Sequence, residues 1–147
     1  MQNPSIDRPA KILLVEDNPV DIDLTQRAFR KQNINCTLQI AKDGEEACNA
    51  LERWEKGEDE PPMIILLDLK MPRMNGFDFL KVIKQSSSSR NIPTIVLTSS
   101  NEEMDILNAY QSGANSYLLK PIEYGQFLSL IQTVCNYWLT ENCLAKY

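Results

Sequence analysis

Met63-Ile64-Ile65-Leu66-Leu67-Asp68 runs five apolar residues straight into a carboxylate. A continuous apolar run of this length, closed by turn residues, reads as a strand buried on both faces. Asp68 is the first polar position at the strand's carboxyl end, and in open parallel α/β sheets ligands bind at that edge. Leu69 to Gly76 then reads as a loop, because Pro72 fixes φ and Asn75-Gly76 is a strong turn signal. Asp68 is therefore the candidate carboxylate nucleophile, and the rest of the chain is expected to position it.

The pattern repeats on either side. Upstream, the apolar run Lys11-Ile12-Leu13-Leu14-Val15 ends in Glu16-Asp17-Asn18-Pro19. Asn18 suits an N-cap and Pro19 the first helical turn. A helix is expected from about 19 to 32, with Val20, Leu24, Ala28 and Phe29 on or near its inner stripe. Cys36 to Ala41 alternates, as a strand nearer a sheet edge would. Asp43 and Glu46 form an acidic variant of the capping box. The helix that follows runs to about Lys56 and buries Ala47, Ala50, Leu51 and Trp54, and residues 57–62 form an acidic loop.

Downstream, a short helix from Gly76 to about Gln85 has an apolar side of Phe77, Leu80, Val82 and Ile83. Ser86 to Ser89 is a surface loop. The strand from Ile92 to Leu97 ends in Thr98-Ser99-Ser100, and Asn101 caps a helix to about Ser112 that Gly113 stops. Ser116 to Leu119 is a short strand ending in Lys120-Pro121, and the last helix runs from about Glu123 to Leu139. Strand-helix pairs repeated five times imply βαβ units, a parallel sheet and right-handed crossovers with helices on both faces. Residues 11–140 read as one domain, with a loose arm at 1–10 and a tail at 141–147.

Composition excludes several classes of function. The 147 residues are 43% hydrophobic, enough for one sizeable core. No apolar run approaches 18 residues, so no membrane span is expected. The polar N-terminus lacks a signal core, which predicts a cytoplasmic protein. Cys36, Cys48, Cys135 and Cys143 have no CxxC spacing and read as reduced apolar residues. Fifteen basic residues against twenty acidic ones give a net charge of −5, which argues against nucleic acid as a partner. There is no histidine. That rules out Ser-His-Asp and Cys-His catalysis, His-ligated metals, and a role for this chain as histidine donor in a phosphorelay.

Four strands end in reactive residue types: Glu16-Asp17, Asp68, Thr98 and Lys120. Strands of a parallel sheet point the same way, so these residues converge on one edge. Each alone has an ordinary explanation as a cap, turn opener, strand end or solvated lysine; the coincidence at that edge is what points to a site. Three carboxylates beside one lysine repel one another unless a cation neutralises them. Mg²⁺ accepts one or two carboxylates together with phosphate oxygens and water. With Lys120 it would stabilise a phosphoryl group arriving on Asp68, while Thr98 could hydrogen-bond one of its oxygens.

With these pieces in place, the chain resembles the receiver domain of two-component response regulators. The resemblance rests on Ile12 to Asn18, Leu66 to Gly76, Val96 to Ser99, Gly113-Ala114 and Tyr117 to Pro121, in the family's order and spacing over roughly residues 10 to 135. It implies a flavodoxin-like (βα)5 fold, a doubly wound parallel sheet of strand order 2-1-3-4-5 with the site at its switch point. It also implies the roles. Asp68 would be the phosphoacceptor, taking the group from the phosphohistidine of a sensor histidine kinase. Asp17, Asp68 and the backbone carbonyl of Lys70 would ligate Mg²⁺, with Glu16 acting through water. Thr98 and Tyr117 would be the switch residues, Lys120 would contact the phosphoryl oxygens, and the Lys120–Pro121 bond would be cis. Such a chain is a phosphoacceptor switch rather than an enzyme. The acidic insertion before the third strand, the Leu66-Leu67-Asp68-Leu69 run and the ending Cys135-Asn136-Tyr137-Trp138-Leu139 resemble, more narrowly, the stand-alone regulators paired with cyanobacterial phytochromes.

The last helix carries a separate expectation. Phe127, Leu130, Ile131, Val134 and Trp138 form one stripe, and Leu128, Cys135 and Leu139 widen it beyond one sheet face. With Tyr110, Tyr117 and Tyr124 nearby, this suggests a homodimer or partner surface on the fourth helix, fifth strand and fifth helix. Output by protein–protein contact fits the absence of any output motif. Two other classes compete with this reading: a phosphorylation-independent adaptor, which would not need the intact acid pair, and an aspartyl-nucleophile phosphohydrolase. The latter commonly has an acid two residues after the nucleophile, where this chain has Lys70.

Overall fold

The computed structural model describes residues 9–71 and 75–145. The expected arm up to residue 8, the Pro72–Met74 part of the loop after Asp68 and the last two residues of the tail lie outside the described residues. Five strands form one sheet: β1 (Ala10–Val15), β2 (Cys36–Ala41), β3 (Ile64–Leu67), β4 (Thr94–Thr98) and β5 (Ser116–Leu119). All pairings are parallel and the order is β2-β1-β3-β4-β5, as expected. Between and after them lie α1 (Pro19–Arg30), α2 (Gly44–Glu55), α3 (Gly76–Gln85), α4 (Glu103–Gln111) and α5 (Tyr124–Val134).

Successive side chains of a strand point to opposite faces, so each apolar run feeds two cores. Leu13, Val15, Ile65, Leu67 and Val96 pack with Trp54 of α2, Phe79 of α3 and Ala109 of α4. Ile12, Leu14, Ile64, Leu66, Ile95 and Leu97 pack with Phe29 of α1 and Phe127 and Ile131 of α5. Three helices therefore cover one face and two the other. β3 is buried throughout, which is why its sequence shows no alternation.

Helix starts follow their caps. The Asn18 side chain accepts from the amides of Val20 and Asp21, Asp43 from Glu46, and Asn75 from Phe77. Glu46 reaches back to the Lys42 amide at 2.7 Å, one residue before the Asp43 cap on which the expected box would close. The start of α4 differs: it begins at Glu103, not behind an Asn101 cap, and Ser100 Oγ accepts from the Glu102 amide instead. Gly113, at φ +109°, ends the segment after α4 where an L side chain would be strained. A Cβ there would also meet Lys84 Cγ at 2.5 Å. The Lys84 ammonium, its pKa lowered by burial, ties α3 to the Ile92 carbonyl and the Asn115 side chain.

Three further expectations are corrected. Val20 is exposed, and α1 instead buries Ile22, Thr25, Ala28 and Phe29; the Thr25 hydroxyl is satisfied by the Asp21 carbonyl at 2.7 Å. Val82 is exposed on α3, where Phe79 completes the inner side. The Lys120–Pro121 bond is trans, the form an X–Pro bond prefers intrinsically. In that form the Lys120 amide already bonds the Thr98 carbonyl and its ammonium already reaches the carboxylates.

The last helix changes pitch. α5 stops at Val134 and continues as a π-helical segment, Cys135–Glu141, closed by a bond from the Asn142 amide to the Tyr137 carbonyl. Its wide apolar stripe is absorbed by the core. Phe127, Ile131, Val134, Cys135 and Leu139 are buried, with Leu128, Leu130 and Trp138 packed against them. Of this last segment Tyr137 is exposed; the other large apolar side chains exposed on this half of the sheet lie on α4 (Met104, Leu107, Tyr110), at Leu119 of β5 and at Ile122.

Candidate functional site

The register delivers the site. Val15 pairs with Leu67, and the Asp68 amide donates to the Val15 carbonyl, so Glu16 and Asp68 leave neighbouring strands side by side. Thr98 pairs with Leu119, and the Lys120 amide donates to the Thr98 carbonyl. β1 and β3 are the point where strand order reverses, and the crevice opens there. It is a cleft of about 670 Å³ lined by Asp17, Asn18, Asp21, Asp68, Lys70, Ser99 and Lys120, among others.

Glu16, Asp17 and Asp68 each offer a carboxylate oxygen within 4.8 Å of the others. Glu16 is buried, and Oε2 accepts from the amides of Asp17 (3.1 Å) and Asn18 (3.3 Å). Burial raises its pKa to about 7, against the opposing pull of Lys120, and the Asp68 charge adds to the rise. The Lys120 ammonium donates to Glu16 Oε1, to Asp21 Oδ2 at 2.9 Å and to Asp68 Oδ2 at 3.4 Å. Burial alone would push its pKa down; the hydrogen bond and charge of Glu16, with Asp21 and Asp68, hold it above the ordinary value. A cation fits this donor set: three carboxylate oxygens close enough to share a hard ion, facing one lysine.

The remaining predicted residues stand behind this group. Lys70 lines the cleft with an exposed side chain, and its amide donates to Asp68 Oδ1 at 3.3 Å. Thr98 is fully buried beneath the cleft, and Ser99 stands in the lining; Thr98 Oγ1 accepts a long bond, 3.5 Å, from the Ser100 amide. The half-buried Tyr117 donates its hydroxyl to the Ser100 carbonyl at 2.8 Å. Burial raises the Tyr117 pKa, partly offset by that bond.

Sequence reasoning missed Asp21 and Asp105. Asp21 is one helical turn past Asp17 in the first turn of α1, a spacing that could have placed it over the same cleft. Asp105 in the first turn of α4 accepts from the Ser100 hydroxyl at 2.6 Å. Its position had no such signal, because it depends on how the loop after β4 folds.

Comparison with known proteins agrees with this geometry. Residues 12–132 match the family model of the response regulator receiver domain. Response regulator Rcp1 of Synechocystis sp. is 36% identical over 132 residues, covering 89% of this chain and 90% of that protein. The probable methanogenesis regulatory protein FilR2 of Methanothrix harundinacea is 37% identical, covering 91% of this chain and 86% of that protein. Among solved structures, the phosphorylated cyanobacterial phytochrome response regulator RcpA superposes with a TM-score of 0.88 at 32% identity, covering 95% of this chain and all of that one. The Mn²⁺-bound form of Rcp1 gives 0.85 at 34% identity, covering 94% of this chain and all of that one.

Proposed function

This chain belongs to the response regulator receiver family, and from that premise we propose that it is a phosphorylation-controlled switch with Asp68 as phosphoacceptor. The observation that carries this is the clustering of Glu16, Asp17 and Asp68 carboxylate oxygens at the carboxyl edge of the sheet, with the Lys120 ammonium on Glu16 and Asp68. An Asp68 oxygen attacks the phosphorus of a phosphohistidine on a sensor histidine kinase. The new O–P bond forms as the N–P bond breaks, and the imidazole leaves with its electron pair. Phytochrome-type kinases are the partner class, given the relatives named above.

Asp17, Asp68 and the Lys70 backbone carbonyl would hold Mg²⁺, and Glu16 would act through water; the clustered carboxylates and a Mn²⁺-bound relative support a divalent ion here. When bound, the ion would supply charge neutralisation for the incoming phosphoryl oxygens. Lys120 supplies the second positive charge and exchanges one carboxylate contact for a phosphoryl oxygen. Thr98 lies one residue from the cleft lining and donates its hydroxyl to the phosphoryl group once the loop after β4 shifts. Tyr117 is bonded to that loop through the Ser100 carbonyl, so a loop shift changes the surface of α4 and β5. The chain is a switch rather than an enzyme, works in the cytoplasm as residues 11–140, and signals by protein–protein contact, including a homodimer over α4, β5 and α5. The exposed Met104, Leu107, Tyr110 and Leu119 support α4 and β5 as that surface. No described helix is long and apolar enough to cross a membrane.

Intact-mass spectrometry after acetyl phosphate and Mg²⁺ tests the chemistry. The expected result is an adduct of ~80 Da that Asp68→Asn and a chelator both abolish. No adduct under rapid quench, from acetyl phosphate or from a phosphorylated kinase, would move the function to a phosphorylation-independent adaptor.

A further inference from the structure

Lys70 is a cation in the cleft lining, two residues after Asp68, and the ion pair its ammonium makes among the described residues is with Asp105 of α4, not with the carboxylate cluster. It sits 3.9 Å from Asp105 Oδ2. The same oxygen accepts the Ser100 hydroxyl at 2.6 Å. Asp105 thus holds the loop after β4 and faces the Lys70 ammonium with the same oxygen. Ser100 is the node of that loop: its amide reaches Thr98 Oγ1 and its carbonyl takes the Tyr117 hydroxyl. The Asp105 side chain is only one-fifth exposed, whereas that of Lys70 is 62% exposed, so the fixed member of the pair is the carboxylate.

We propose that Asp105 is a positioning residue that holds the Lys70 ammonium at the outer rim of the cleft and thereby restrains uptake of phosphoryl groups from anionic phosphodonors. The inference rests on the proposed function and deepens it. Inside the cleft, Lys70 would meet Asp68, Asp17 and the doubly charged phosphoryl group of a donor. Held outside, it adds little to the local positive potential that concentrates anions. Asp105→Asn removes the competing charge but keeps an oxygen that accepts the Ser100 hydroxyl, so the loop stays in place while Lys70 is released.

The test compares phosphorylation by acetyl phosphate with Mg²⁺ at low ionic strength in wild type, Asp105→Asn, Lys70→Met, the double variant and Asp105→Glu. Asp105→Asn is expected to lower the half-saturating donor concentration roughly two- to fivefold, the size an exposed ion pair can confer. The maximal rate should change less. Added salt should shrink the gain. In the Lys70→Met background the gain should vanish, and Asp105→Glu should restore wild-type behaviour. An unchanged or slower Asp105→Asn overturns the proposal. So does an equal gain in the Lys70→Met background, which would mean that only bare charge mattered. If wild type forms no adduct at all, the proposed function falls, and Asp105 is judged by inorganic phosphate titrated against the Ser99 amide resonance. Tighter binding in Asp105→Asn that Lys70→Met removes supports its role; equal binding overturns it.

Discussion

Gly76 shows how one residue without a side chain sets the site. A Cβ there would lie 2.6 Å from Leu69 Cα and 2.9 Å from the Asp68 carbonyl oxygen. Both contacts are to backbone, so relief means moving the segment that carries Asp68. Gly76→Ala is expected to cost about 1–3 kcal/mol, as overpacking typically does, read as a lower urea midpoint. It should also blunt the rise in melting temperature that Mg²⁺ gives wild type, because Asp68 leaves the carboxylate cluster. An unchanged Mg²⁺ response would show that the loop adjusts without disturbing the ligands. Asn75-Gly76 was legible as a turn, but the close approach was not, since nothing in a sequence shows which backbone comes near. The same limit hid Asp21. Its place on Lys120 follows from the angle at which α1 leaves the sheet, whereas Glu16, Asp17, Asp68, Thr98 and Lys120 were legible because each ends a strand.

At the scale of elements, continuous apolar runs gave up the inner strands and their direction, and side-chain caps gave up the starts of α1, α2 and α3. Errors came where no side chain marks the boundary. α4 starts behind Glu102, which makes no side-chain capping bond, and α5 passes into a π-helical segment at Cys135 with no break in the helix. That wider pitch explains why the stripe looked too broad for one face: Cys135 and Leu139 turn back into the core with Val134. Cys135 is fully buried, and burial, with a smaller contribution from Cys36, raises its thiol pKa to about 12. A thiol raised in the fold above its ordinary 9 keeps its full stability below pH 9 and loses it as pH climbs toward 12. The loss is up to roughly 1.4 kcal/mol per pH unit in that window. Urea midpoints at rising pH should therefore fall more steeply for wild type than for Cys135→Ala, whose cavity cost is independent of pH. Parallel slopes would mean that the thiolate is tolerated where it sits.

For the whole molecule, strand order was legible through the family resemblance, but the surface was not, because exposure depends on which stripes find partners. The last helix was expected to supply the free apolar surface and instead spends its width on α1 and the sheet. The surplus lies on α4 and β5. β5 is an edge strand whose outer backbone groups lack a neighbouring strand within the sheet, and Leu119 on it is 47% exposed. Exposed edges and apolar side chains together favour pairing between copies. A twofold contact repeats each side chain on both partners, so one substitution counts twice. Burial of a leucine is worth about 1.5–3 kcal/mol at most, and each 1.4 kcal/mol is about tenfold in dissociation constant. Sedimentation velocity across a concentration series should show a dimer for wild type, and Leu119→Lys should raise its dissociation constant by at least about tenfold. Substitution of Trp138, which packs toward the core, should change stability more than association. A wild type that stays monomeric at high concentration, with and without a phosphoryl mimic on Asp68, would remove the homodimer and leave α4 and β5 as a surface for a different protein.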